Sequence, residues 1–177
     1  VGACAEVYVN GKLAGTHKGG ISAFACEIGS ALKLGAVNEI IVKADNKARP
    51  DVIPVNQNLF GVYGGIYRPV WLIVNEQKNI TVTDCASPGV YITQKDVSKK
   101  SADITVKVKL DNAGLQPAAV TLENTIYTQE GRKVGTHSRS FDLSPQGTQT
   151  YLSTFKLKNP HLWQGRKDPY LYKVVCR

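Results

Sequence analysis

An all-β fold is what this sequence predicts, and three observations predict it. Short runs of alternating apolar and polar residues recur along the chain, glycine and proline break them at close intervals, and no run carries the period of a long helix. Among 177 residues there are 16 glycines, 8 prolines and 8 tyrosines, with 42% apolar residues. That composition suits pleated, half-buried strands. The length accommodates one large β domain or two small ones, and two segments are expected, 1–77 and 78–177. There is no methionine, so the chain is expected to be a processed product or an excised piece of a longer polypeptide.

In the first segment, residues 5–9 alternate, Asn10-Gly11 follows, and residues 12–16 return. Asn-Gly between alternating runs is a strong hairpin signal, and a type I′ turn would set Tyr8 across from Leu13. Residues 22–28 are expected as a third strand with Phe24, Cys26 and Ile28 on one face, and residues 40–44, entered through Asn38-Glu39, as a fourth. The run from Gly61 to Val74 is the hinge of the chain. Gly64-Gly65 can turn sharply because neither residue carries a Cβ. A fifth strand, 66–74, should then follow, buried on both faces, with Ile66, Arg68, Val70, Leu72 and Val74 opposite Tyr67, Pro69, Trp71 and Ile73. Pro69 argues for a sheet edge or bulge. Arg68 among apolar neighbours needs a carboxylate or carbonyl, which makes it a structural arginine. Between the fourth and fifth strands, residues 45–62 form a long polar loop, and a loop of that length within a domain usually carries function.

The second segment repeats strand-like runs at 80–83, 90–93, 102–110, 120–127, 133–137, 140–143, 148–158 and 170–175. Seven or eight short strands in about 100 residues describe an immunoglobulin-like sandwich. Ile104, Val106, Val108 and Leu110 make the cleanest one-sided strand, with Lys107 and Lys109 on its solvated face. Turns are expected at Asp111–Gly114 and Gln129–Gly131. Trp163, between two proline-led clusters, is expected to wedge under the sandwich end. Residues 11–17 echo 131–137, each ending in histidine; a paired-histidine metal site is the sharp reading, and two similar strands leaving two similar turns is the better one.

Composition also bounds function. The formal charge of +8 permits an acidic partner, but the lysines alternate with apolar strand residues, and no helix-turn-helix, zinc finger or aromatic-basic platform is present, so no nucleic-acid partner is expected. No apolar run approaches the roughly 20 residues of a membrane span, and no membrane partner is expected. Cys4, Cys26, Cys85 and Cys176 are too scattered for a disulfide scaffold and read as core thiols; Cys4 and Cys26 would be neighbours if their strands pair. His17, His137 and His161 have no ligand-like spacing, so neither a metal nor another cofactor is expected.

The run Val7-Tyr8-Val9-Asn10-Gly11-Lys12, the Asn38–Val42 strand, Asp45-Asn46 and above all Tyr63-Gly64-Gly65-Ile66-Tyr67-Arg68-Pro69-Val70-Trp71-Leu72 resemble the sugar-binding domain of family 2 glycoside hydrolases, the β-galactosidase and β-glucuronidase family. Asn159-Pro160-His161-Leu162-Trp163 and Pro169-Tyr170-Leu171-Tyr172 resemble the end of that family's immunoglobulin-like domain. The resemblance implies the late strands of a jelly-roll sandwich in 1–77 and an immunoglobulin-like sandwich in 78–177. It further implies a non-catalytic piece of a β-galactosidase-like enzyme, whose two catalytic carboxylates belong to a downstream (α/β)₈ barrel of the same polypeptide. Carbohydrate is then the partner met through that parent, and half a sandwich should be poorly stable alone or pair with a second copy.

Glycoside hydrolysis needs two carboxyl groups at a fixed separation, one of them protonated. None of the 14 acidic residues makes a convincing pair. Asn38-Glu39 and Asn75-Glu76 superficially match the family's acid/base dipeptide but read as structural. What the resemblance implies is a loop reaching toward the sugar, with Asn58 as the substrate-binding position and Asp51 and Asn56 as further candidates. The same three side chains could instead serve only the backbone of a long loop. A stand-alone sandwich module that binds a glycan or a protein is the alternative to the enzyme-fragment reading.

Overall fold

The computed structural model describes residues 1–53 and 63–177 of the chain. It is an antiparallel all-β structure with two compact units, Val1–Val74 with Val82–Ala86, and Asn75–Thr81 with Ser87–Arg177.

In the first unit, β1 (Cys4–Val9) lies between β2 (Lys12–Lys18) and β3 (Ile40–Asp45). The β1–β2 turn has the geometry its sequence demands, with φ of +49° at Asn10 and +79° at Gly11 and Tyr8 opposite Leu13. A one-residue irregularity between Val7 and Tyr8 adjusts the register. The side chain of Asn10 then braces the entry to β3: its amide donates to the Ala31 carbonyl and to Asn38 Oδ1, both at 2.8 Å, and its oxygen accepts the Glu39 N–H at 3.1 Å. Asn38 in turn accepts the Lys33 N–H at 2.7 Å. The Asn38 side chain is therefore structural, and Glu39 contributes its backbone N–H to the same brace.

Two expected strands are absent as strands. Residues 22–28 join no ladder, yet Phe24, Cys26 and Ile28 are half-buried while their neighbours are exposed. The predicted face is right and the pairing is wrong, because side chains rather than a ladder hold the segment to β2: Phe24 stacks on His17 at 4.4 Å and Cys26 lies against Gly15. Residues 66–74 also join no ladder, and the expected burial is reversed, since Val70, Trp71, Leu72 and Val74 are exposed. Pro69 lacks a donor, and among the described residues no strand offers the run a partner. Arg68 does find its carbonyl, donating to Ile21 at 3.0 Å.

The second unit is a two-layer sandwich. In one layer β6 (Ser101–Asn112) is flanked on one edge by β4 (Lys78–Ile80) and β5 (Val90–Lys95) and on the other by β9 (Gly147–Lys158). In the other the order is β10 (Lys173–Cys176), β7 (Ala118–Tyr127), β8 (Lys133–Leu143). Every second residue of β6 from Ala102 to Leu110 points into a core shared with Leu122, Ile126, Leu143 and Leu157. The two expected runs at 133–137 and 140–143 are one continuous strand. The buried Asn112 ends β6 by accepting the Gly114 N–H at 2.9 Å and donating to the Gln116 carbonyl at 3.0 Å, which closes the predicted turn.

Three further expectations are corrected. Trp163 is 64% exposed rather than wedged beneath the sandwich, because the turn that carries it closes on itself. Cys85 is exposed, so it is not a core thiol, and all four cysteines are free thiols. Cys26 belongs to no strand, which removes the premise for its pairing with Cys4.

Candidate functional site

The long loop of the first unit begins where β3 ends. Asp45 caps it, accepting the Lys47 N–H at 2.9 Å, an arrangement short acidic side chains adopt at turns. Val52 is buried and anchors the loop to its unit. Asp51 stands just before that anchor and is gripped from two sides, by Lys18 Nζ at 2.8 Å from β2 and Arg49 Nε at 3.4 Å from its own loop. The Lys18 hydrogen bond is the largest influence holding the Asp51 carboxyl below its ordinary value. Asn56 and Asn58 lie outside the described residues. Of the three sequence-predicted positions, the described geometry therefore bears on Asp51 alone. A carboxylate held ionised, with its side chain 48% exposed, can accept hydroxyl hydrogen bonds but is poorly suited to donate a proton.

On the other side of the loop, Tyr67 and Arg68 tie the hinge to the turn after β2, through Tyr67 Oη to the Gly20 carbonyl and Arg68 to the Ile21 carbonyl. The Gly2 N–H donates to the Gly65 carbonyl at 2.9 Å. Gly64 lies against the Asn46 side chain and leaves no room for a Cβ without displacing it. The sequence reading missed Lys18 and Arg49 as the groups that fix Asp51. Lys18 is 33 residues away from Asp51, and no local pattern announces such a pair.

Two further carboxyl groups are displaced by local hydrogen bonds. All 14 acidic residues fall in the described region. Glu6 is lowered by hydrogen bonds from Tyr8 and Lys43, and Glu130 by its own backbone, Thr128 and Tyr170. Glu6, Asp51 and Glu130 are thus each displaced downward, the opposite of the shift a glycosidase acid needs. The histidines have other occupations: His17 stacks on Phe24, His137 meets Ser153 at 3.3 Å and His161 pairs with Asp168 at 2.6 Å.

Comparison with known proteins decides the lineage, since the profile of Glycosyl hydrolases family 2 matches residues 88–177. The chain belongs to that family. A β-glucuronidase of Bacteroides fragilis is 36% identical over 175 residues, covering 98% of this chain and 25% of the relative. The crystal structure of a Bacteroides fragilis protein with a provisional β-galactosidase assignment superposes with a TM-score of 0.97 at 97% identity, over 100% of this chain and 26% of that one. The β-glucuronidase of Bacteroides uniformis superposes with a TM-score of 0.93 at 31% identity, over 99% and 21%. This family 2 chain thus spans about a quarter of the length of the relatives it matches.

Proposed function

We propose that this chain is the non-catalytic β-sandwich portion of a larger family 2 enzyme, one that hydrolyses the O-glycosidic bonds of β-galactosides or related sugars such as β-glucuronides. The observation that carries this reading is one of extent: the likeness to a β-glucuronidase covers 98% of this chain but 25% of the relative, so most of such an enzyme corresponds to nothing in these 177 residues. The acid and the second carboxylate are assigned to an (α/β)₈ barrel elsewhere in the same polypeptide, through which the carbohydrate partner is met.

On this reading residues 1–77 are the late strands of a sugar-binding jelly roll and residues 78–177 an immunoglobulin-like domain. Their role is to frame the barrel and to extend the loop 45–62 toward the sugar, with Asp51, Asn56 and Asn58 as its polar contacts. The exposed apolar run Val70–Val74 supports a further partner surface, whether within the parent chain or on a second copy. The two-sheet, seven-stranded second unit supports the immunoglobulin-like assignment.

The test is an assay of the isolated chain on aryl β-galactosides and aryl β-glucuronides. No turnover above the uncatalysed background is expected. Saturable hydrolysis by the chain alone, abolished by substituting one of its own carboxylates, would overturn the proposal.

A further inference from the structure

An unpaired strand edge calls for a backbone partner, and β7 has one. On one side β8 pairs with it along its full length, Ala118–Tyr127, whereas on the other β10 pairs only with residues 124–127. The ladder goes one step beyond β10, where Glu123 and Arg177 exchange both backbone hydrogen bonds at 2.9 Å. In an antiparallel ladder alternate residues turn both N–H and C=O toward the same neighbour, so Thr121 and Ala119 present theirs to the edge past Arg177. Among the described residues no backbone group meets them there.

The same edge borders a gap in the sandwich. A cavity of about 290 Å³ lies between β4 and β7, lined by Ile80, Leu110, Val120, Leu122 and Leu143, with Arg177 also on its wall. Leu110, Leu122 and Leu143 are buried members of the core, and Ile80 and Val120 pack against it. β10 shows which residues of a strand on this edge point inward, since Val174 and Cys176, opposite Ile126 and Asn124, pack on the core. By the two-residue period of a strand, residues set opposite Leu122 and Val120 would point into the cavity.

We infer that residues 118–122 of β7 receive a further antiparallel strand, the direct continuation of β10 in the longer polypeptide, whose first and third residues after Arg177 are apolar and fill the cavity. A small apolar ligand would occupy the space but leave the Thr121 and Ala119 backbone groups unpaired. A strand from a second copy would pair them, yet it would have to displace polypeptide that leaves Arg177 already in register and closes no loop to reach the edge. The inference rests on the reading of this chain as part of a larger enzyme. The likeness to a β-glucuronidase that covers 98% of this chain but 25% of the relative supports that premise.

The test compares amide hydrogen exchange by NMR in three chains: the 177 residues alone, the same chain extended by the parent segment that would pair with residues 118–122, and that extension with Asp at its first and third positions. Slow exchange at Val106 and Val108, buried in the middle of β6, certifies the sandwich in each. The Thr121 and Ala119 N–H groups should exchange about tenfold or more slowly in the extended chain than in the 177-residue one. The Asp pair should return them to the faster rate, because a charge has no place in an apolar cavity. A sandwich that forms only when the extension is present would also bear the inference out. Equal rates in the first two chains, slowing that survives the Asp pair, or charged residues natively at those two positions would each overturn it. Protection in the 177-residue chain that deepens with concentration would do the same, since a second copy would then hold the edge. Exchange is read without turnover, so hydrolysis by the isolated chain would refute the non-catalytic role and leave the strand, and unslowed exchange would refute the strand and leave that role.

Discussion

Asn124 is fully buried on β7, and its amide has one partner, donating to Ser153 Oγ at 2.8 Å, while Oδ1 has none. Ser153 is buried on the facing sheet and lies 3.3 Å from His137 Nδ1. A half-satisfied polar pair inside an apolar sandwich makes its one hydrogen bond costly to lose, because removing the acceptor strands a donor away from water. Ser153→Ala should therefore destabilise the second unit by about 1–3 kcal/mol in urea unfolding. The double variant Ser153→Ala/Asn124→Leu should recover much of that loss, since no polar group is then left buried. Additive losses in the double variant would show that packing, and not the stranded amide, sets the cost.

Elements differ in how far their sequences declared them. β6 was legible to the residue because a strand between two neighbours, with one face in the core, must alternate strictly, and Ala102 to Leu110 does so. The Asn10-Gly11 and Gln129–Gly131 turns were legible because few residues tolerate positive φ. The runs at 22–28 and 66–74 were misread as strands because alternation reports an extended chain with two unlike faces, and says nothing of whether a partner exists. In the candidate site Asp51 could be nominated from its loop, but its grip by Lys18 arises from tertiary folding and left no local trace. The packing of 22–28 without a ladder gives a prediction of its own. A Cβ on Gly15 would stand 2.3 Å from Cys26 Sγ and 3.2 Å from Cys26 Cβ, so Gly15→Ala must push the segment off β2. A loss of about 1–3 kcal/mol is expected for overpacking of this kind, and adding Cys26→Ala should restore most of it. A Gly15→Ala variant with an unaltered unfolding midpoint would mean that the segment does not rest on β2 in solution.

At the scale of the molecule, three carboxyl groups tie the fold to pH. A retaining or inverting glycosidase keeps one carboxylic acid protonated near neutral pH by burial or by a neighbouring negative charge. Here the hydrogen-bond donors Lys18, Lys43, Tyr8 and Tyr170 surround the displaced carboxylates and favour the ionised form. Because folding lowers these pKa values, the stability linked to Glu6, Asp51 and Glu130 is present in full above the ordinary values of 3.8 and 4.5. It is lost as the pH falls through the lower folded values. A carboxyl-carbon NMR titration of the whole chain should accordingly find these three groups titrating below their ordinary range. Lys18→Ala should move Asp51 back up toward 3.8 while leaving Glu130 in place. Glu6, Asp51 or Glu130 titrating at or above its ordinary value would show that these hydrogen bonds do not hold in solution, and the acid sensitivity assigned to them would fall with that result.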